Sequence, residues 1–434
     1  MNTLFSHVCV VTMDDRMSVW TDAFVGVTDG KISYLSKHAP EEKPDQIIDA
    51  TGMVLMPGLI NCHTHLPMQL LRGYADDLKL QEWLNDYIFP REDRLDGRCV
   101  RAATTLAVAE CLKFGVTSVS DMYYFCDDIC DVIAKSGMKA NISRGTSMFL
   151  GDDFDFEKFP ACQELVALRD KWQGYDNGRI KIEASVHAEY TSTYQLWDAL
   201  AEFAINEKLG MQVHLSETKR EHDECVEKYG LTPAQLLDCH HLFDVPTVAA
   251  HCVWLEDEDF DILKKHNVSV ACCPASNLKL ASGYANIPKM LEKGINIALG
   301  TDGAASNNNL NIFQDIYLFG VVYKGFYHDS TLLTPAQVLH TATRAGALSQ
   351  GRTDCGKLAV GYKADLCVID TDTPQFTPMT DAACNVVYAA QGADVRLTMV
   401  DGEVLYRDGE FKTIDIEKVK AETQKRTDAI LRRL

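Results

Sequence analysis

The chain has 434 residues, enough for one large barrel with a satellite domain or for two to three ordinary domains. Hydrophobic residues make up 46% and charged residues 24%, as in an ordinary globular protein, and no apolar run approaches the roughly 18–20 residues of a membrane helix. A formal charge of -20 argues against a nucleic-acid surface, because phosphate binding needs clustered Lys and Arg.

The N-terminus, Met1-Asn2-Thr3-Leu4-Phe5-Ser6-His7, lacks a basic start followed by a long apolar core, so no signal peptide is expected. The 15 cysteines are an odd number, scattered along the chain, with no C-x-x-C. Secreted disulfide frameworks are short and cysteine-dense, so reduced thiols in a cytoplasmic protein are expected instead. Residues 1–55 hold short strands at 8–12, 23–27, 31–35 and 46–50, bounded by Asp-Gly and similar turn signals. The same texture returns at 364–370 and 396–402. The two ends, 1–55 and 357–412, are therefore expected to pair into one small β-sandwich domain. A charged amphipathic helix over about 416–431, within a final segment 413–434, closes the chain.

Between the ends, short apolar strands alternate with helical stretches. The strands are expected at 54–61, 116–122, 138–143, 180–186, 211–215, 247–250, 268–272 and 295–300. Helices are expected at 101–114, 194–209, 233–239 and 257–266. Eight strands with helices between them are the pattern of an α/β fold of the (β/α)8, TIM-like barrel type, spanning 56–356. The first strand is the most telling: the apolar run 53–60 leads straight into His63-Thr64-His65. Residues i and i+2 of a strand share a face, so the two imidazoles aim at one point where the strand ends.

Chemistry in such barrels sits at the C-terminal ends of the strands. There the sequence places His63 and His65 (first strand), His187 (fourth), His214 and Glu217 (fifth), His251 (sixth) and Asp302 (eighth). His63, His65, His214 and Asp302 suffice as ligands for one divalent metal, a Zn2+-type ion, with water in the open position. An ion so held lowers the pKa of a bound water from about 15.7 toward about 7. Glu217 follows His214 by three residues and cannot share its strand face unless the backbone turns. It is placed where strand becomes loop, as the acid/base that carries a proton from the water to a ring nitrogen. His251 is better suited to polarise the attacking water than to be a fifth ligand. Asp302 can hold the metal and accept the water proton. Two-metal sites on such barrels usually bridge the ions through a modified lysine at the end of the fourth strand. Here that strand ends in His187, and Lys181 lies at its beginning, which favours a single metal.

His63-Thr64-His65, Leu70-Leu71-Arg72-Gly73-Tyr74-Ala75-Asp76-Asp77-Leu78 with Glu82-Trp83-Leu84, and His214-Leu215-Ser216-Glu217-Thr218 resemble the amidohydrolase superfamily. So do Ala250-His251-Cys252, Pro274-Ala275-Ser276-Asn277-Leu278-Lys279-Leu280 and Gly300-Thr301-Asp302-Gly303-Ala304-Ala305-Ser306-Asn307-Asn308. The set most resembles the branch that deaminates 5'-methylthioadenosine and S-adenosylhomocysteine. The resemblance implies that Glu92 binds the ribose hydroxyls, that His187 lies near purine and sugar, and that Arg144 lines the 5' side. Homocysteine-binding members carry a second arginine after the position of Arg144. Here 145–168 contains none, and its charges are Asp152, Asp153, Asp155, Glu157 and Glu164 against Lys158 alone. That loop favours a neutral 5' group, as in methylthioadenosine, 5'-deoxyadenosine or adenosine.

The expected function is hydrolytic deamination of a small-molecule adenine nucleoside. Water attacks C6, Glu217 delivers a proton to N1, and ammonia leaves the inosine analogue behind. No nucleic-acid or membrane partner is expected; by analogy with relatives, a homo-oligomer is. Three other readings stay open: the same set serving guanine, a pterin or a chlorotriazine; cleavage of an amide; or a metal-binding scaffold without activity.

Overall fold

The computed structural model describes residues 2–149 and 154–432. The strands fall into two sheets. Eight parallel strands form the barrel: β6 (Leu59–Thr64), β7 (Val116–Tyr123), β8 (Lys139–Arg144), β9 (Ile180–Val186), β10 (Gly210–Leu215), β11 (Thr247–His251), β12 (Ser269–Cys272) and β13 (Asn296–Leu299). Each pairs with its sequence neighbour, and helices such as Gly97–Lys113, Tyr194–Glu207 and Asp257–Lys265 return the chain between them. Side chain and loop complete the circle between β13 and β6. Asn61 accepts from the Thr301 N–H at 2.9 Å and donates to its hydroxyl at 2.7 Å, while the Asp302 N–H reaches the His63 carbonyl at 3.0 Å. Gly300 makes this approach feasible: a Cβ there would fall 2.8 Å from the Cβ of His63.

Strands from both ends of the chain form a second, mixed sheet of nine. Its path runs β17 (Glu410–Phe411), β16 (Glu403–Arg407), β15 (Val395–Val400), β14 (Leu366–Asp370), β5 (Met53–Pro57), β1 (Thr3–Val11), β2 (Val19–Thr28) and β3 (Lys31–Ser36), with β4 (Gln46–Asp49) on β1. Phe5, Val25, Leu55, Leu366 and Met399 share its core, so the termini are joined by apolar burial as well as by backbone pairing.

The expectation of one strand over 54–61 needs correction. Met53–Pro57 belongs to the terminal sheet, where Leu55 pairs with Val10 and Val368. Only from Leu59 does the chain join the barrel, beside β7. The apolar run is continuous because both halves are buried, each in a different sheet. The switch is at Gly58, where a Cβ would lie 2.1 Å from Thr117 Cγ2. The closing helix, Ile416–Leu431, packs on the helix Gly97–Lys113. Among the described residues no helix is long and apolar enough to cross a membrane.

Candidate metal centre and active site

The strand-end side chains converge. His63 stands near the end of β6 and His65 just past it, with ring centroids 4.8 Å apart. The His214 ring, near the end of β10, is 4.8 Å from His63. Backbone carbonyls set two of these rings. His65 Nδ1 lies 2.6 Å from the Met122 carbonyl, and His214 Nδ1 lies 2.7 Å from that of His187. A carbonyl only accepts, so each Nδ1 carries a hydrogen and each Nε2 faces inward, free to give its lone pair to an ion once it carries no proton.

His63 Nε2 is buried with no hydrogen-bond partner among the described residues. Asp302 Oδ1 lies 3.6 Å from it and 3.2 Å from His65 Nε2, and His65 Nε2 lies 3.3 Å from His214 Nε2. Ligand atoms placed tetrahedrally at about 2.0–2.1 Å from one ion are about 3.3–3.4 Å apart. The donors therefore fit a zinc-type ion in number, chemistry and spacing, and His63, His65, His214 and Asp302 would hold it. His251 also lies close enough to His63 and Asp302 to belong to the cluster.

Without an ion, burial disfavours a charge on His65, yet its contact with Asp302 prevails and raises its pKa to about 9. Burial likewise works against an ionised Asp302, but the imidazoles outweigh it and hold the carboxyl well below its usual range. Asp302 itself sits at φ 62, a left-handed conformation beyond the end of β13. Two hydroxyls grip its outer oxygen: Ser276 at 2.6 Å and Ser306 at 2.8 Å. Both residues stood inside the motifs read from sequence, but no role was assigned to them. They lie 26 residues before Asp302 and four after it in the chain.

Glu217 reaches the site as the spacing demands, through a backbone turn. Ser216 adopts φ 48, and its carbonyl accepts from the N–H groups of Val253 and Trp254. The carboxylate is buried, accepts from Ser282 Oγ at 3.1 Å, and lies 3.9 Å from His251 Nε2. Burial pushes its pKa up, opposed by His251. His251, at φ 69, keeps Nδ1 on Asn277 Oδ1 at 2.8 Å, so its Nε2 faces the cleft. Asn277 is thus a positioning residue that sequence reasoning missed.

Glu92 is buried in the short helix Phe89–Glu92, where Tyr123 donates to it at 2.6 Å; burial lifts its pKa to about 7. His187 follows β9, bonds Thr191 Oγ1 at 3.0 Å, and is held down to about pH 4 by burial and by His65. Glu92, His187, Glu217, His251 and Asp302 line one cleft. Leu80, Trp83, Leu84 and Phe89 wall it with apolar surface. Lys279 ties this cover down, bonding Asp76 at 2.5 Å as well as Asn308. Arg144 stands apart: it ends β8 and lines a neighbouring cleft, with Nε on Glu164 at 2.6 Å. Of the acidic loop, Asp152 and Asp153 lie outside the described residues, and Asp155 pairs with Lys158.

The Amidohydrolase family profile matches residues 54–405. A 5-methylthioadenosine/S-adenosylhomocysteine deaminase of Acetivibrio thermocellus is 38% identical over the full length of both chains. A 5'-deoxyadenosine deaminase of Methanosarcina acetivorans is 39% identical, over 99% of this chain and 98% of its own. An adenosine deaminase from Xanthomonas campestris, crystallised with bound zinc, superposes with a TM-score of 0.94 at 31% identity, covering 99% of each chain. Atrazine chlorohydrolase from Arthrobacter aurescens, at 24% identity and TM-score 0.90, shares the fold over 98% of this chain and all of its own. With its barrel, its strand-end imidazoles and full-length relatives of this kind, the chain belongs to the amidohydrolase family.

Proposed function

We propose that the chain is a metal-dependent hydrolytic deaminase of adenine nucleosides, releasing ammonia and the inosine analogue. One observation carries the reading. Glu217, a buried carboxyl with a raised pKa, shares a cleft with Asp302, a carboxylate held ionised beside three inward-turned imidazoles. Two carboxyls whose environments push their pKa values apart are the signature of an acid and a base working together. The relatives at 38% and 39% identity, named as deaminases of 5'-substituted adenosines, point to the same reaction.

A zinc-type ion held by His63, His65, His214 and Asp302 supplies the Lewis acidity that makes water a nucleophile at neutral pH. Everything else falls to the side chains. His251 orients and polarises the attacking water through Nε2. Asp302 accepts its proton. Glu217, protonated, donates to N1 of the purine, so that electrons of the ring move to nitrogen as water oxygen bonds to C6. The C6–N bond then breaks as the proton held by Asp302 passes to the departing amine, and the C6 hydroxyl proton returns to Glu217 as the carbonyl forms. Glu92 offers its free oxygen to the vicinal ribose hydroxyls, and His187 stands beside purine and sugar. The apolar wall of Leu80, Trp83 and Leu84 excludes bulk water from the ring.

The favoured substrates are methylthioadenosine, 5'-deoxyadenosine and adenosine. All 15 cysteines are free thiols, which supports a cytoplasmic setting. The test is the ultraviolet shift from adenine to hypoxanthine, run on these nucleosides and S-adenosylhomocysteine side by side. Turnover of the neutral nucleosides supports the reading. No shift with any of them, metal bound, overturns it and moves the search to guanine, pterins and triazines.

A further inference from the structure

The cleft lined by Arg144 opens beside the metal cleft and shares Phe89, Glu92 and Tyr124 with it. If the purine sits at the imidazole cluster and the sugar at Glu92, as in the reading above on which this inference rests, the 5' substituent extends into this second space. Its charged lining among the described residues is Glu92, Asp93, Arg144 and Glu164. Arg144 is the only cation of the four, and it is already engaged. Its Nε donates to Glu164 at 2.6 Å, its Nη1 to the Gly145 carbonyl, and its guanidinium lies 4.8 Å from the centre of the Tyr124 ring. Glu164 is fixed in turn. It stands in the helix Pro160–Trp172, and its other oxygen accepts the N–H of Cys126 at 3.2 Å, at the start of the helix Cys126–Ser136. That helix end favours a negative charge at the carboxylate it bonds.

We propose that Glu164 sets the charge specificity of the 5' subsite. By neutralising Arg144 it removes the cation that a substrate carboxylate would need, and Glu92 and Asp93 leave the space with no positive balance. The subsite admits neutral or cationic 5' substituents and refuses anionic ones.

The test compares methylthioadenosine with 5'-(3-carboxypropylthio)-5'-deoxyadenosine, a thioether that ends in a bare carboxylate. The ratio of their kcat/KM values is measured for the natural chain, Glu164→Gln, and Glu164→Gln with Arg144→Met. Gln keeps an oxygen for the Cys126 N–H, so the local fold has its bond. The natural chain prefers the methyl thioether. Glu164→Gln shifts the ratio about two- to fivefold toward the carboxylate, the scale of a partly exposed charge pair. Adding Arg144→Met takes that gain away, because the freed guanidinium is its source. An unmoved ratio in Glu164→Gln, or a natural chain that takes both compounds equally, overturns this inference and leaves the deaminase reading standing. No turnover of either compound overturns both.

Discussion

Glu217 and Asp302 divide the proton work, and the division comes from their neighbours. Glu217 accepts one hydroxyl bond and has His251 at a longer distance, so burial prevails and raises its pKa; Asp302 faces imidazoles and two serine hydroxyls, which hold its charge. Glu217→Gln keeps the shape but cannot give and retake the proton. It is expected to lower kcat by roughly 10²–10⁴ while metal content, read by elemental analysis, stays near one per chain. Ser276→Ala or Ser306→Ala frees the outer oxygen of Asp302, and each is expected to weaken metal affinity about 10–100-fold, measured by competition with a chelator. The histidines and Glu217 were legible in the sequence because each follows directly from a short apolar strand. The serines and Asn277 were not, since a hydroxyl or amide in a loop carries no sign of the distant side chain it will hold.

At the scale of elements, two features organise the site. The first is the cover formed by Leu80, Trp83, Leu84 and Phe89, tethered through Asp76 and Lys279. This pair is partly exposed, so its loss loosens the cover without touching the reacting atoms. Lys279→Met is expected to raise KM roughly two- to fivefold and to change kcat less. A kcat that falls as far as in Glu217→Gln would place Lys279 in the chemistry instead. The second feature is the crossing at Gly58. Any side chain there strikes Thr117, so Gly58→Ala is expected to cost about 1–3 kcal/mol of stability, checked by denaturant unfolding. Strand existence was legible from apolar runs and turn residues. The crossing was not, because a run buried in two sheets looks the same as a run buried in one. The charge of the 145–168 loop was legible too, but the engagement of Glu164 with Arg144 required the fold.

Across the whole molecule, four of the eight barrel strands bring residues from 63 to 302 to one point, and the metal completes what the backbone gathers. In the metal-free chain His65 stays protonated up to about pH 9, because its bond to Asp302 outweighs the cost of burial. A divalent ion must displace that proton. Apparent metal affinity is therefore expected to rise about tenfold per pH unit up to about pH 9 and then level off; a flat profile from pH 6 to 9 would contradict this account of the cluster. Chelation should abolish turnover, and zinc should restore it. The barrel was legible as a whole because its strands recur in order; the terminal domain was legible as strands, but its pairing order, with β5 between β14 and β1, depends on contacts across more than 300 residues. The central claim is hydrolytic exchange of an amine for a water oxygen at C6. It is tested most directly by incubating the zinc-loaded chain with methylthioadenosine in ¹⁸O-water and analysing the nucleoside by mass spectrometry. The account predicts one labelled oxygen on the purine ring for each ammonia released. Free adenine, or an unlabelled nucleoside without ammonia, would contradict it.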